Sequence, residues 1–239
     1  MKRSDINKAI DRAVAFFTEH HFPLPPFAFW TPEEWLKKGP ECDEIREARL
    51  GWDITDFGSG DIPRKGRSIF TLRNGVAGTS GGKSYAQKVM HLREGQRSPV
   101  HYHKSKMEDI INCNGGNILI CLWQLDSDGK PSRSPLDVSV DGIVRRVSAG
   151  EQIYLRPGES VCVQPFMCHQ FWSREGTGDS LSMEVSSVCD DLTDNCWLEL
   201  AVRFPEIDED EPRRYLLGGE YPRAGQKEQC QNAVCQNAI

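Results

Sequence analysis

The first fifty residues carry the hydrophobic spacing of helices. Apolar side chains recur three or four positions apart between residues 4 and 20, which predicts an amphipathic helix. Ser4 is expected to cap its start, and one apolar stripe should pack against the rest of the protein. The stripe consists of Ile6, Ile10, Ala13, Val14 and Phe17.

A proline-rich stretch over residues 21–27 cannot continue this helix and is predicted to lie on the surface as an extended arm. Residues 30–35 then specify a second helix start. They place Thr31 at the cap, proline at the first helical position, a glutamate three residues after the cap and a tryptophan on either side of that turn. One more short helix is expected over residues 41–49. We therefore predict that residues 1–52 form a helical and proline-rich arm.

From residue 53 onward the periodicity is that of short β-strands separated by Gly, Asp, Asn and Pro, which is typical of an all-β sandwich or barrel. An Asn-Gly pair at 114–115 predicts a hairpin, and an Asp-Gly pair at 141–142 marks another turn. We predict a mainly β fold, a jelly-roll β-barrel over residues 53–222 with the N-terminal helices packed outside it. The expected strands are 68–72, 85–92, 110–112, 118–125, 144–147, 152–155, 160–163, 170–173, 181–188 and 197–204.

Two polar stretches complete the pattern. Residues 204–212 are too acidic to belong to a core and are predicted to form a solvated loop. Residues 223–239 are predicted to be a polar C-terminal tail. Within that tail, Val234, Cys235 and Ile239 are the side chains able to dock on the protein.

The composition excludes several function classes. The chain has 239 residues, 38% apolar and 27% charged, with a formal net charge of −6. This charge argues against nucleic-acid binding, which needs a basic surface. No apolar run approaches the roughly 18 residues of a membrane helix, and no apolar signal core follows the N-terminus, so export is not expected. Nine cysteines without a Cys-x-x-Cys pair indicate reduced thiols in a cytoplasmic protein.

One stretch carries candidate metal chemistry. His101 and His103 would project from the same face of a strand, and Glu108 follows five residues after the second histidine. A third histidine, His169, comes much later in the chain. Imidazoles with a carboxylate suit a divalent metal such as Mn, Fe or Zn. The spacing alone leaves open the alternative that these are polar surface residues near a turn.

These residues resemble the two sequence motifs of the cupins. Residues 95–115 carry Gly, His-x-His, Glu and Gly at the spacing of the first motif, and residues 150–169 resemble the second. The second motif departs from the usual form, because the proline before its histidine, Pro165, stands four residues ahead of it. The resemblance implies a jelly-roll barrel and four metal ligands. Carried over position by position, the ligands are His101, His103, Glu108 and His169.

Over nearly its full length the chain is similar to the D-lyxose isomerases, metal-dependent sugar isomerases with a β-barrel and added N-terminal helices. Residues 101–109, 150–158, 184–191 and 203–207 carry the similarity. It implies that a free aldose and its 2-ketose are interconverted through a cis-enediol, for example D-lyxose with D-xylulose or D-mannose with D-fructose. It also implies a divalent cofactor, Mn²⁺ first and Fe²⁺, Co²⁺ or Zn²⁺ as alternatives, and a homodimer.

This chemistry needs a group that carries a proton between two neighbouring carbons, and Glu184 is our candidate. Glu184 would share one strand face with Ser182 and Ser186, and a polar stripe inside a barrel is costly unless a ligand lies there. The alternative is that this face meets solvent. Lys106 is expected to hydrogen-bond a sugar oxygen or to move the proton between O1 and O2.

Three further residues are expected to bind the sugar. Lys88 would share a strand face with Ala86 and Met90, and a lysine among apolar neighbours favours a functional role. An exposed strand face is, however, the usual place for lysine. Asp190 and Arg203 are expected to contact substrate hydroxyls or to support the site.

Three other functions fit the same four ligands. A cupin Fe-dependent dioxygenase would need a mostly apolar, aromatic-lined pocket. A phosphosugar isomerase would need a cluster of Arg or Lys for the phosphate, and no such cluster lies near the motifs. A non-catalytic sugar-binding cupin commonly lacks one or more of the ligands, and all four are present here.

Overall fold

The structure, a computed structural model, describes residues 1–225, and its strands form two antiparallel sheets. The larger sheet has the order β1-β2-β3-β12-β5-β10-β7-β8, and the smaller has the order β13-β4-β11-β6-β9. The strands are β1 (Gly51–Thr55), β2 (Arg67–Arg73), β3 (Tyr85–Leu92), β4 (His101–His103), β5 (Glu108–Gly115), β6 (Ile118–Gln124), β7 (Leu136–Val140), β8 (Ile143–Val147), β9 (Gln152–Leu155), β10 (Ser160–Val163), β11 (Met167–Ser173), β12 (Ser180–Ser187) and β13 (Asn195–Trp197).

An aliphatic core lies between the sheets. Ile69 and Met90 of the larger sheet are buried in one cluster with Ile120 and Phe171 of the smaller sheet. The predicted mainly β fold is therefore confirmed. Each sheet turns one side of its alternating pattern inward, which is why the strands could be recognised from period-two spacing.

The first helix, α1 (Arg3–Glu19), covers the outer face of the larger sheet. Its predicted apolar stripe is confirmed: Ile6, Ile10 and Ala13 are fully buried, and Phe17 is nearly so. This stripe packs on side chains of β1, β2, β3 and β12 that point away from the inner core. These strands are thus largely buried on both faces, one under α1 and the other toward the barrel interior.

The predicted cap of α1 is wrong. Ser4 lies inside the helix, and its backbone N–H and hydroxyl donate to the carboxylate of Asp210 over 2.9 and 2.8 Å. The fully buried Arg3 donates to both carboxylate oxygens of Glu209 over 2.8 Å and also pairs with Glu220. The acidic loop is largely exposed, as predicted, but it also supplies the helix cap that was expected from Ser4.

The second helix begins as predicted. Thr31 and Glu34 form a capping box, and the rings of Trp30 and Trp35 meet edge to face at 5.1 Å. The helical elements between α1 and β1 are short. They are the 3₁₀ turns Pro26–Phe29 and Pro40–Cys42 and the helices α2 (Pro32–Trp35) and α3 (Asp43–Glu47).

The hairpin predicted at the Asn-Gly pair is wrong. β5 pairs with β12 and β10, whereas β6 pairs with β11 and β9, so the chain crosses from one sheet to the other at this point. A Cβ on Gly115 would lie 2.5 Å from the carbonyl oxygen of Asp179. The glycine therefore marks a close backbone crossing. The turn at Asp141 and Gly142 does join a hairpin, β7 to β8.

The strand predicted over residues 197–204 is also wrong, because only Asn195–Trp197 pairs with a neighbour. Leu200 is 94% exposed, so the alternation of apolar and polar residues over 197–204 does not bury this apolar side chain in the core. Conversely, the predicted strands did not include β1 or β7. In the described part of the chain no helix is long and apolar enough to span a membrane. The predicted tail lies outside the described residues from residue 226 onward.

Candidate metal centre

Sheet pairing brings the three histidines together. β4 lies between β13 and β11 in the smaller sheet, and His101 is directly opposite His169 on β11. His103 lies two residues along β4 on the same face, opposite Asn195 of β13. The ring nitrogens of the three histidines lie within 4.8 Å of one another.

Glu108, at the start of β5 in the larger sheet, reaches the histidines from the opposite side of the barrel. Its Oε1 lies 3.0 Å from His169 Nε2 and 3.5 Å from His103 Nε2. The glutamate is 2% exposed, and His169 is fully buried. The four side chains singled out from the sequence are therefore neighbours, with Glu108 in contact with two of the three imidazoles.

Two backbone carbonyls orient the outer imidazoles. His101 Nδ1 lies 2.9 Å from the Pro99 oxygen, and His169 Nδ1 lies 3.1 Å from the Met167 oxygen. A carbonyl oxygen can only accept, so the neutral form of both rings carries its proton on Nδ1, which leaves the lone pair of Nε2 free. This arrangement of a second partner behind the ring is common for metal-ligating histidines.

The donor set fits a divalent cation. His103 Nε2 and His169 Nε2 are buried and form no hydrogen bond among the described residues, because the nearby Glu108 carboxylate has no proton to donate to them. Leaving these nitrogens unpaired is costly unless something else occupies them. Burial and the neighbouring imidazoles hold the pKa of His101 well below its ordinary value, so the ring is neutral. Burial would raise the pKa of Glu108, but the Lys106 ammonium and His103 keep it well below its usual range. Neutral imidazoles and an ionised carboxylate are the forms that bind a metal.

A buried lysine joins this group to a second carboxylate. Lys106 Nζ lies 2.6 Å from Glu108 Oε2 and 2.8 Å from Glu184 Oε1. The lysine is 3% and Glu184 6% exposed, and Ser182 and Ser186 on the same face of β12 are also buried. The polar stripe therefore faces the barrel interior, and the alternative that it meets solvent is wrong.

Lys88 lies on the far side of Glu184. Its side chain is also buried, and its Nζ is 3.6 Å from Glu184 Oε1, 3.4 Å from Asp191 Oδ2 and 2.8 Å from the Cys189 sulfur. Lys88 thus does not occupy the exposed strand face that is usual for lysine. The ammonium connects Glu184 to the loop that follows β12.

That loop contributes Asp191. Asp191 Oδ2 lies 3.1 Å from Arg203 Nη2, and Arg203 also forms a bidentate pair with Asp53. Asp190, the residue singled out from the sequence, instead accepts hydrogen bonds from the Leu192 N–H and the Thr193 hydroxyl. Asp190 does not line the cavity beside the histidines, whereas Asp191 does.

These side chains enclose a cavity of about 50 Å³. Its wall includes the four predicted metal ligands together with Lys88, Lys106, Glu184 and Arg203. Four polar lining residues were not predicted as site residues from the sequence: Arg67, Ser98, Asp191 and Asn195. The similarity over residues 184–191 could have indicated Asp191, but nothing in the local pattern distinguishes Arg67 from other arginines.

Comparison with known proteins gives one consistent result. A family model for D-lyxose isomerase matches residues 1–221. The chain is 44% identical over 223 residues to a D-lyxose/D-mannose isomerase of Escherichia coli O157:H7, covering 92% of this chain and 98% of the relative. It is 43% identical over 226 residues to a D-lyxose/D-mannose isomerase of Serratia proteamaculans, covering 93% and 99%.

Solved structures show the same fold at much lower sequence identity. An L-ribose isomerase of Cellulomonas parahominis, crystallised with L-ribose, superimposes with a TM-score of 0.56 at 15% identity, covering 84% of this chain and 94% of that protein. An L-ribose isomerase of Acinetobacter sp. DL28 gives a TM-score of 0.55 at 14% identity, covering 87% and 98%. The mainly β fold is therefore shared with these proteins.

Proposed function

We propose that this chain, which belongs to the D-lyxose isomerase family, converts D-lyxose to D-xylulose and D-mannose to D-fructose. It is an enzyme, an aldose–ketose isomerase that acts on free sugars. The observation that carries the assignment of residues is the Lys106 bridge, which places Glu184 beside the histidine cluster. The family match, rather than the lining of the cavity, argues against the dioxygenase, phosphosugar and non-catalytic alternatives.

His101, His103, Glu108 and His169 would hold the divalent metal. When bound, the ion supplies Lewis acidity toward the two sugar oxygens that gain charge during the reaction. The unpartnered imidazole nitrogens and the ionised carboxylate support this assignment. We propose Mn²⁺ as the ion, with Fe²⁺, Co²⁺ or Zn²⁺ as alternatives, since ligand type does not separate them.

Glu184 would carry the proton. Isomerisation removes the proton from C2 of the aldose and returns it to C1, through an enediol in which O1 and O2 bear the charge. The buried carboxylate of Glu184 faces the cavity and is held by Lys106 on one side and Lys88 on the other. Lys106 is positioned to donate to a sugar oxygen and to shuttle the hydroxyl proton between O1 and O2.

Lys88 and Arg203 would bind substrate hydroxyls from the cavity wall, as expected from the sequence. We assign Asp191 the role first given to Asp190, because Asp191 lines the cavity and bridges Lys88 and Arg203. Its acceptor oxygens complement the two cations, so the three residues offer both donors and acceptors to a polyol.

We further propose that the protein is cytoplasmic and forms a homodimer. The seven cysteines of the described residues are all free thiols, as expected in a reducing compartment. Leu200 and Leu192, which are 94% and 62% exposed, are candidates for a contact between subunits. Two-fold pairs are the commonest assembly. The division into an arm of residues 1–52, a barrel of residues 53–222 and a tail stays a prediction.

A sugar panel in deuterated water tests the proposed function. The Mn²⁺-loaded protein should form ketose from D-lyxose and D-mannose, and deuterium should enter the ketose at C1, the carbon to which the proton is returned, because the proton carrier exchanges with solvent. Mass spectrometry of the product measures the label. Ketose without any deuterium would indicate a hydride shift and would remove Glu184 from its role, while no ketose from either sugar would contradict the assignment of substrate.

A further inference from the structure

We propose that Arg67 is a positioning residue of the metal centre, because its guanidinium ties together the backbone segments that carry His101 and His169. The residue begins β2, is 3% exposed and lines the cavity. In the described part of the chain its hydrogen bonds go to other acceptors than the imidazoles, so its influence would pass through the backbone. This inference rests on the proposed metal site.

Three of the four hydrogen bonds that Arg67 donates within residues 1–225 reach the segments before His101 and after His169. Nη1 donates to the carbonyl oxygens of Gly66 and Gln96, over 3.1 and 3.4 Å. Nη2 donates to the Ser98 hydroxyl over 3.0 Å and to the Phe171 carbonyl over 2.5 Å. Ser98 precedes His101 by three residues, and Phe171 follows His169 by two.

The segment before His101 depends on such ties. Residues 98–100 belong to no strand, yet the Pro99 carbonyl accepts the Nδ1–H bond that orients the His101 ring. Gln170, next to His169, donates a second tie from β11 to the Ser98 carbonyl over 2.6 Å. A shift of this segment would therefore move His101 relative to His169.

Arg67 differs from the buried side chains of Arg3 and Arg203 in the kind of group that accepts its hydrogen bonds. Arg3 and Arg203 pair with carboxylates, whereas the acceptors of Arg67 among residues 1–225 are all neutral oxygens. Burial lowers the pKa of Arg67 to about 9, which still leaves it cationic at neutral pH. A cation beside a metal site would by itself weaken metal binding. The role of this position therefore depends on the planar guanidinium, which holds several N–H donors in a fixed fork; lysine lacks this arrangement.

The test is the affinity of the metal-free protein for MnCl₂, measured by isothermal titration calorimetry beside thermal unfolding. In Arg67→Met the dissociation constant should rise by roughly 10- to 100-fold, as for other residues that orient metal ligands. Arg67→Lys keeps the charge without the fork and should be weakened similarly. Arg3→Met is the matched control, since it removes another buried arginine and should lower thermal stability without changing the dissociation constant.

Opposing results are equally clear. An unchanged or tighter dissociation constant in Arg67→Met, wild-type affinity in Arg67→Lys, or equal weakening in Arg3→Met would overturn the inference. If Arg67→Met does not fold, Ser98→Ala removes one acceptor and should still weaken Mn²⁺ binding, and normal affinity there would count against the proposal. Failure of the wild-type protein to bind Mn²⁺ would contradict the metal site itself.

Discussion

At the scale of single residues, Lys106 lies between two carboxylates to which we assign different tasks. Glu108 touches two imidazoles, while Glu184 lies on the other side of the ammonium with its carboxylate toward the cavity. A fixed cation between two carboxylates offsets the repulsion that two bare carboxylates would have in a buried site. We assign one acid to the metal and the other to the proton.

Replacing the proposed proton carrier should separate chemistry from metal binding. In Glu184→Gln the side chain keeps its size but cannot take a proton, so kcat on D-lyxose should fall by roughly 10²- to 10⁴-fold. Metal content, measured by atomic emission, should stay at the wild-type level.

The control is His103→Ala, which should lose metal and activity together. Normal turnover by Glu184→Gln would mean that another group moves the proton, and loss of its metal would place Glu184 among the ligands.

Only some of the residues of the site could be predicted from the sequence. Period-two spacing places His101 and His103 on one strand face, but the resemblance to the cupins was needed to predict them as metal ligands. Glu184 was singled out by a polar stripe in a strand together with the chemistry that the family resemblance implies. Asp191 could not be separated from Asp190, because the alternation of strands does not extend into the loop after β12. Arg67 was missed since its burial depends on oxygens contributed by distant parts of the chain.

At the scale of elements, the start of α1 is stabilised from the opposite end of the chain. The acidic loop supplies Asp210 to the helix N–H of Ser4 and Glu209 to Arg3. Carboxylates at a helix N-terminus also interact favourably with its dipole. A local capping rule could not predict this, since the rule considers only residues adjacent in sequence. The prediction of a hairpin at the Asn-Gly pair was wrong for a related reason. The turn leads from β5 into the other sheet, and the local sequence does not show which sheet the next strand joins.

This arrangement predicts a pH-dependent contribution to stability. Hydrogen bonds from Arg3 hold the pKa of Glu209 at about 2, below its ordinary 4.5. The contribution is therefore complete above pH 4.5 and is lost as the pH falls toward 2. The free energy of unfolding from urea titrations should be lower in Glu209→Gln than in the wild type near pH 6, and the difference should shrink toward pH 2.

The matched control is Glu19→Gln, an exposed residue at the other end of the same helix, which should show no such trend. A difference between wild type and Glu209→Gln that stays constant from pH 6 to pH 2 would contradict the role given to this ion pair.

At the scale of the whole molecule, two sheets place four distant side chains at one point. β4 and β11 bring three histidines together in the smaller sheet, and β5 supplies Glu108 from the larger one. The fold class was predictable, because alternation and turn residues are local properties. Strand order was not, since pairing of β4 with β13 and β11 depends on contacts far apart in sequence.

The most direct test of the central claim is a titration of metal-free protein with MnCl₂ while D-lyxose isomerisation is followed. We predict negligible activity without metal and a rise that saturates at one ion per chain, with no recovery in His169→Ala. Full activity of the metal-free protein, or normal recovery in His169→Ala, would contradict the claim that these four side chains hold the ion on which the reaction depends.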